Sequence, residues 1–106
     1  MPAVTKRATA KHDLIEHFVY LAENASVDVA DRFLSNAEAS FNVLCQQPSM
    51  GAPLMLRHPD LAGMRKWRVM DFDNYLIFYF PRPDGVSIVR VLHSAQDWWK
   101  LLELES

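Results

Sequence analysis

The sequence predicts an α+β domain in which a small antiparallel sheet carries an N-terminal helical hairpin on one face. Two patterns support this class. Apolar residues recur at helical spacing in the first half of the chain, whereas they alternate with a period of two between residues 65 and 93. At 106 residues, 50% of them hydrophobic, the chain is long enough for one modest core. We therefore expect a single domain over residues 1–106 with the element order β-α-α-β-β-β-α.

The first half of the chain is typical of a short strand followed by two antiparallel helices. We expect the strand over Ala3–Arg7. The apolar face of the first helix is formed by Leu14, Phe18, Leu21 and Ala22, widened by Ile15 and Val19. The apolar face of the second helix is formed by Ala30, Phe33, Leu34, Ala37, Phe41, Leu44 and Cys45. Ser26 is suited to cap the second helix, which Pro48 ends near Gln47.

The second half is typical of a loop, three strands and a last helix. The loop covers Pro48–Gly63, which is rich in proline and glycine. Strands are expected at 65–70, 75–80 and 86–93, joined by tight turns. Ser94 is expected to cap the final helix. With the helical hairpin on one side, the other sheet face should be partly open and should carry polar and aromatic side chains.

Charge is distributed unevenly although the net charge is only −2. Between residues 12 and 47 there is one base, Arg32, and the acids are Asp13, Glu16, Glu23, Asp28, Asp31 and Glu38. Between residues 57 and 90 the bases are Arg57, Arg65, Lys66, Arg68, Arg82 and Arg90, against the acids Asp60, Asp71, Asp73 and Asp84. This asymmetry indicates an anionic or charge-matched partner for the second half. Two ordinary solvated faces of different composition would explain it equally well.

Several classes of site are excluded or disfavoured. Cys45 is the only cysteine, so neither an internal disulfide nor a cysteine-rich zinc site can form. His12 and His17 are five residues apart on a helix and point in different directions, so we expect no metal site and no cofactor. No apolar run approaches the roughly 20 residues that span a bilayer. We expect a cytoplasmic protein without membrane contact.

One group of side chains on neighbouring strands has the chemistry of metal-free RNA cleavage, which needs proton-transfer groups and phosphate-stabilising cations. It comprises Arg65, Arg68, Tyr75, Tyr79, Arg90 and His93. The pattern alone favours a plainer interpretation. The tyrosines would then be half-buried sheet residues and the arginines ordinary solvent-facing strand positions.

Four segments resemble the ParE/RelE superfamily of toxins, and most closely its ParE branch of plasmid-stabilisation toxins. They are Gly63–Val69, Asn74–Tyr79, Asp84–Val86 and Val89–His93. The resemblance implies a RelE/ParE-like fold and a bacterial toxin of a type II toxin–antitoxin system, neutralised by a small cognate antitoxin. ParE-like members poison DNA gyrase, whereas RelE-like members cut messenger RNA on the ribosome.

The residues after the last strand favour the ParE branch. RelE-type nucleases carry added Arg and Tyr there, whereas this chain reads HSAQDW from His93. The resemblance therefore implies a gyrase-inhibiting binding protein without catalytic residues. The alternative is a ribosome-dependent endoribonuclease that uses Arg65, Arg68, Arg90 and His93. A third interpretation is a degenerate toxin that keeps only antitoxin binding and operator co-repression, because Gln96 replaces the arginine common in the ParE pattern.

The resemblance also gives an expectation for the contact surfaces. The residues expected to bind the target are Arg65, Arg68, Tyr79, Arg90, His93, Gln96 and Asp97. The residues expected to bind the antitoxin, on the open sheet face and beside the acidic helical hairpin, are Trp67, Arg68, Tyr79 and Arg90. Operator DNA would be contacted only through the antitoxin.

Overall fold

A computed structural model describes residues 2–55 and 58–103, and its elements follow the predicted order. They are β1 (Ala3–Lys6), α1 (Ala8–Asn24), α2 (Val27–Gln46), β2 (Ala52–Pro53), a 3-10 turn (Pro59–Leu61), β3 (Arg65–Val69), β4 (Phe72–Arg82), β5 (Gly85–His93) and α3 (Trp98–Glu103). The α+β class is confirmed. The two-residue strand β2 and the 3-10 turn lie in the region predicted as loop, and Arg57 lies outside the described residues.

The helical hairpin forms where the sequence predicts it. Ser26 caps α2, because its hydroxyl accepts a hydrogen bond from the Val29 amide at 3.1 Å. The predicted apolar face of α2 is buried except for Leu34, which is half-buried. On α1 the buried face is narrower than expected, since Ile15 and Val19 are 62% and 45% exposed. Those two side chains therefore lie on the outer surface of the hairpin.

The sheet is mixed and not purely antiparallel as predicted. Its strand order is β1-β5-β4-β3-β2, with antiparallel pairing from β2 through β5 and parallel pairing of β1 with β5. Alternation in sequence does not reveal strand direction, so this pairing was not predictable from the pattern. Gly85 makes the pairing possible. A Cβ at this position would lie 1.9 Å from the carbonyl oxygen of Ala3.

The prediction of a partly open, polar and aromatic sheet face is wrong. The strand β4 is apolar on both sides and needs cover on both. Tyr75, Ile77 and Tyr79 pack against the helical hairpin. On the opposite face a second buried cluster is formed by Leu61, Met64, Phe78, Phe80, Val89, Leu92, Trp98 and Leu102. The last two residues belong to α3, which thus covers much of the second face.

The helix α3 begins later than predicted. Ser94 does not cap it, because residues 94–96 form a turn and the helix starts at Trp98. The Ser94 amide donates to the carbonyl of Asn74 at 2.7 Å, so the chain is still bonded to β4 at Ser94. Asp97 occupies the cap position, since its carbonyl accepts the helical hydrogen bond from Leu101 at 3.2 Å.

Candidate functional site

Arg90, predicted to face a partner, is bound to a carboxylate of α1. Its Nε lies 2.7 Å from Asp13 Oδ2 and its Nη2 lies 2.8 Å from Asp13 Oδ1. The Val91 amide donates to the same carboxylate at 3.0 Å. Asp13 is only 3% exposed, so the pair is formed mostly away from water. The guanidinium of Arg90 thus joins β5 to α1.

Arg65 and Tyr79 hold the loop that follows α2. Arg65 Nη1 donates to the carbonyl oxygens of Ser49 and Gly51 at 3.1 and 2.6 Å. The Tyr79 hydroxyl donates to the Pro48 carbonyl at 2.7 Å and accepts from the Gly51 amide at 2.9 Å. The expectation that Tyr79 lies on an open face is wrong, because its residue exposure is 0%. Burial raises the pKa of this hydroxyl, and the Gly51 amide and the charge of Arg65 oppose the rise.

Arg68 is the most accessible of the predicted cations on the strands. Its Nε lies 3.4 Å from Asp73 Oδ1 in an exposed ion pair, and its guanidinium lies 5.0 Å from the Trp67 ring. Trp67 itself is half-buried and packs against the core on the helical side. The predicted cationic cluster is therefore not assembled. Arg65, Arg68 and Arg90 each bind a different partner group.

His93 and Gln96 form a closed turn at the end of β5. The His93 amide donates to Gln96 Oε1 at 2.7 Å, and His93 Nδ1 accepts from the Ala95 amide at 3.0 Å. Gln96 therefore supplies a hydrogen-bond acceptor, a role that an arginine side chain cannot fill. Asp97 follows the turn as an exposed residue. The local geometry thus gives a physical reason for glutamine at position 96.

The same turn forms one wall of a cleft with a volume of about 430 Å³. The cleft is lined by Glu16, His17, Tyr20, Tyr75, His93, Ala95 and Gln96. His93, Gln96 and Tyr75 were candidate residues from the sequence, whereas the three residues that α1 contributes were not. The available signal was the spacing of Glu16 and Tyr20, which are four residues apart and hence neighbours on one helix face.

The cleft has an aromatic interior with few charges. The ring centroid of Tyr75 lies 4.9 Å from that of His17 and 4.9 Å from that of His93, both in edge-on geometry. His17 Nε2 lies 2.7 Å from the Val91 carbonyl oxygen, to which the neutral ring donates. Burial lowers the pKa of His17, although the Val91 hydrogen bond and the charge of Asp13 oppose this. Burial also raises the pKa of Tyr75.

These groups offer hydrogen bonding, stacking and one carboxylate. Within residues 2–55 and 58–103 there is no group of three or more His, Cys, Asp or Glu side chains that could hold a metal ion. In the same part of the chain, no helix is long and apolar enough to cross a membrane.

Comparison with known proteins agrees with the fold. A family model described as the ParE toxin of the type II toxin–antitoxin system parDE matches residues 4–98. A solved structure titled "Chromosomal ParDE TA system from P. aeruginosa" is similar with a TM-score of 0.70 at 15% sequence identity. The match covers 88% of this chain and 96% of that one. No curated protein matches the sequence significantly.

Proposed function

The chain belongs to the ParE family of toxins of type II toxin–antitoxin systems, and we propose that it inhibits DNA gyrase by binding it. We also propose that a cognate antitoxin neutralises it and that operator DNA is contacted only through that antitoxin. The observation that carries the preference for binding over catalysis is the pairing of Arg90 with the buried Asp13. It engages in a framework contact one of the three arginines that RNA cleavage would use.

The energetics of that pair support this preference. A nuclease cation must move to, or already lie at, the scissile phosphate. If the guanidinium of Arg90 moved to a phosphate, the buried Asp13 carboxylate would keep its hydrogen bond from the Val91 amide. It would lose the positive charge that now balances it. An unpaired buried charge costs several kcal/mol. Arg65 is similarly committed to two backbone carbonyls. A binding function leaves all of these contacts intact.

Gyrase inhibition is tested with the purified toxin and purified gyrase. We expect the toxin to slow DNA supercoiling in vitro and to induce the SOS response when expressed without its antitoxin. Adding the antitoxin encoded beside the toxin gene should restore supercoiling. Unchanged supercoiling at a large molar excess of folded toxin would refute the proposed target.

Arg68 is our candidate for an antitoxin contact, because it is exposed and is held by an exposed ion pair and a ring contact. Arg68→Glu should weaken antitoxin binding about ten-fold, by reversing the sign of one interfacial charge. Arg82→Glu is the matched control, since Arg82 is an exposed strand residue whose guanidinium also lies 5.0 Å from an aromatic ring, that of Phe80. Equal losses in both variants would argue against a specific contact at Arg68.

The alternative of a ribosome-dependent endoribonuclease is favoured by one observation only. His17, Tyr75 and His93 lie together in the cleft, and imidazole and phenol groups can transfer protons. In this alternative, messages from induced cells would show new cleavage ends in primer extension. An intact message pool, together with slowed supercoiling, would leave gyrase inhibition as the function. Normal growth on induction would indicate the degenerate toxin.

A further inference from the structure

We propose that the cleft between α1 and the turn after β5 binds an arginine or lysine side chain of a protein partner, in a segment that also carries apolar residues. The inference rests on the proposed function, because it requires a toxin that acts through contacts with other proteins. Beyond the proposed function, it specifies the chemistry of the partner segment and the residues of the cleft that bind it.

The charge of the cleft suits a cation. Among the residues that the structure describes, Glu16 is the only acid that lines it, and no lysine or arginine does. His17 donates from Nε2 to a backbone carbonyl in a half-buried position, and His93 Nδ1 accepts a backbone hydrogen bond as a neutral ring can. Both contacts are satisfied without a positive charge on either ring. Among the described residues that line the cleft, the Glu16 carboxylate is therefore the charge that an incoming side chain meets.

Glu16 and Tyr20 are placed to bind a cation together. They are four residues apart on α1, so they lie on one helix face, and both line the cleft. The Tyr20 residue is 59% exposed, which leaves its ring accessible to a guanidinium or ammonium group. Glu16 also lies 3.5 Å from His12 Nδ1 in an exposed pair that carries a net attraction only when His12 is protonated. The carboxylate thus stays accessible to a partner.

Two apolar side chains are exposed next in sequence to the cleft residues of α1. Ile15 and Val19 are one helical turn apart on α1 and are 62% and 45% exposed, next in sequence to the cleft residues Glu16 and Tyr20. Burying such side chains against apolar residues of a partner is favourable. A segment whose cation enters the cleft would therefore bring apolar residues over Ile15 and Val19.

The charge of the surrounding hairpin agrees with this occupant. Residues 12–47 contain six acidic residues and one basic residue, Arg32. Asp13 is already paired with Arg90, whereas Glu16 and Glu23 are exposed on α1. Gln96 uses its Oε1 to accept from the His93 amide, so its NH₂ group is available to donate to a backbone carbonyl of the segment. An acidic partner segment would be repelled by this face.

The test uses the whole protein and three short peptides that differ in one side chain: acetyl-Leu-Arg-Leu-amide, its citrulline analogue and its glutamate analogue. Citrulline has nearly the shape of arginine but no charge. We expect the arginine peptide to shift the NMR signals of the Gln96 side-chain amide and of the His93 and Ala95 amides. It should bind about five-fold more tightly than the citrulline peptide, as one exposed ion pair and one cation–ring contact would give.

Two variants locate the effect. Glu16→Gln should abolish the preference for arginine over citrulline, because it removes the carboxylate and keeps the shape. Glu23→Gln is the matched control, an exposed acid on the same helix outside the cleft, and should keep the preference. Shifts that lie elsewhere, equal binding of arginine and citrulline, equal effects of the two variants, or tighter binding of the glutamate peptide would each overturn the inference.

Failure of this inference is distinguishable from failure of the proposed function. Peptide binding to the cleft does not require gyrase. If the arginine peptide binds as expected and supercoiling is unaffected, the cleft binds a cation and the proposed target is wrong. If supercoiling is inhibited and the peptide result is negative, gyrase inhibition stands and the cleft is not its cation-binding site.

Discussion

The guanidinium of Arg90 and the carboxylate of Asp13 form a two-point ion pair, with N–O distances of 2.7 and 2.8 Å, across the joint between β5 and α1. The side chains are 14% and 5% exposed. Because the Val91 amide also binds the carboxylate, Asp13 joins the first helix to β5 through three hydrogen bonds. A residue that the sequence suggested as a ligand-binding cation is thus part of the framework.

Asp13→Asn should destabilise the protein by about 3 kcal/mol, because it removes the buried negative charge that accepts two hydrogen bonds from the Arg90 guanidinium and one from the Val91 amide. Urea unfolding at neutral pH measures the loss. Glu38→Gln is the control, since Glu38 pairs with Lys6 where the side chains are 50% and 26% exposed. It should cost less than about 1 kcal/mol. Equal losses for both variants would contradict the structural role of Asp13.

Tyr79→Phe should destabilise the protein by about 2 kcal/mol, because it leaves the Gly51 amide and the Pro48 carbonyl without their partner. Amide hydrogen exchange at Gly51 should become faster, which separates loss of this loop contact from a general loss of stability. The control is Tyr20→Phe at a residue that is 59% exposed, and it should change stability by less than about 0.5 kcal/mol. Unchanged exchange at Gly51 in the Tyr79 variant would contradict the assignment.

Trp98→Ala should destabilise the protein by about 3 kcal/mol, since Trp98 is 8% exposed and its ring centroid lies 5.2 Å from that of Phe78 in the second core. Trp99→Ala is the adjacent control at a residue that is 58% exposed and whose ring stacks on that of Trp98, and it should cost less than Trp98→Ala because less of its surface is buried. Thermal unfolding compares the two variants. A small effect of Trp98→Ala would mean that α3 contributes little to the cover of the sheet.

The stability of the protein should fall as the pH falls below 6.5, because of His17. In the unfolded chain His17 takes up a proton around the ordinary histidine pKa of 6.5, whereas burial in the folded state lowers that pKa. The unfolded state then binds more protons than the folded state, so the free energy of unfolding decreases as the pH drops from 6.5 through the folded-state pKa. Below both pKa values the loss is complete.

This dependence is measured by urea unfolding at about pH 7.5 and about pH 5.5. His17→Gln removes the titrating group and should make the fall in the free energy of unfolding smaller, whatever the stability of the variant at the higher pH. His12→Gln removes an exposed histidine from the same helix and provides the comparison. A pH dependence of His17→Gln as steep as that of the wild type would contradict the role of His17.

Much of the secondary structure was predictable, because it depends on interactions between near neighbours. The apolar residues at helical spacing from Ala30 to Cys45 specify α2. Ser26 specifies where the helix starts and Pro48 where it ends, and each of these signals acts on residues close by in the sequence. The start of α3 was not predictable from Ser94. The Ser94 amide bonds to the carbonyl of Asn74, twenty residues away in sequence, so the chain is still bonded to β4 where the sequence predicted the helix to begin.

The candidate site was predictable only on its sheet side. Tyr75, His93 and Gln96 were named from the sequence, whereas Glu16, His17 and Tyr20 come from the first helix, more than fifty residues before Tyr75. Their proximity depends on how α1 packs on β5, which includes the bond of His17 to Val91 and that of Asp13 to Arg90. No local pattern encodes such contacts.

By itself the sequence determined the α+β class, the order of the elements, the faces of β4 and the family, since alternation, helical spacing and family-like strings are all properties of the linear chain. Only the tertiary structure decided that β1 is parallel to β5, that α3 covers the second face and that Arg90 binds Asp13. The physical reason is that strand direction, burial of the second sheet face and ion pairing all depend on contacts between residues that are far apart in the sequence. A buried charge requires a partner wherever in the chain that partner lies.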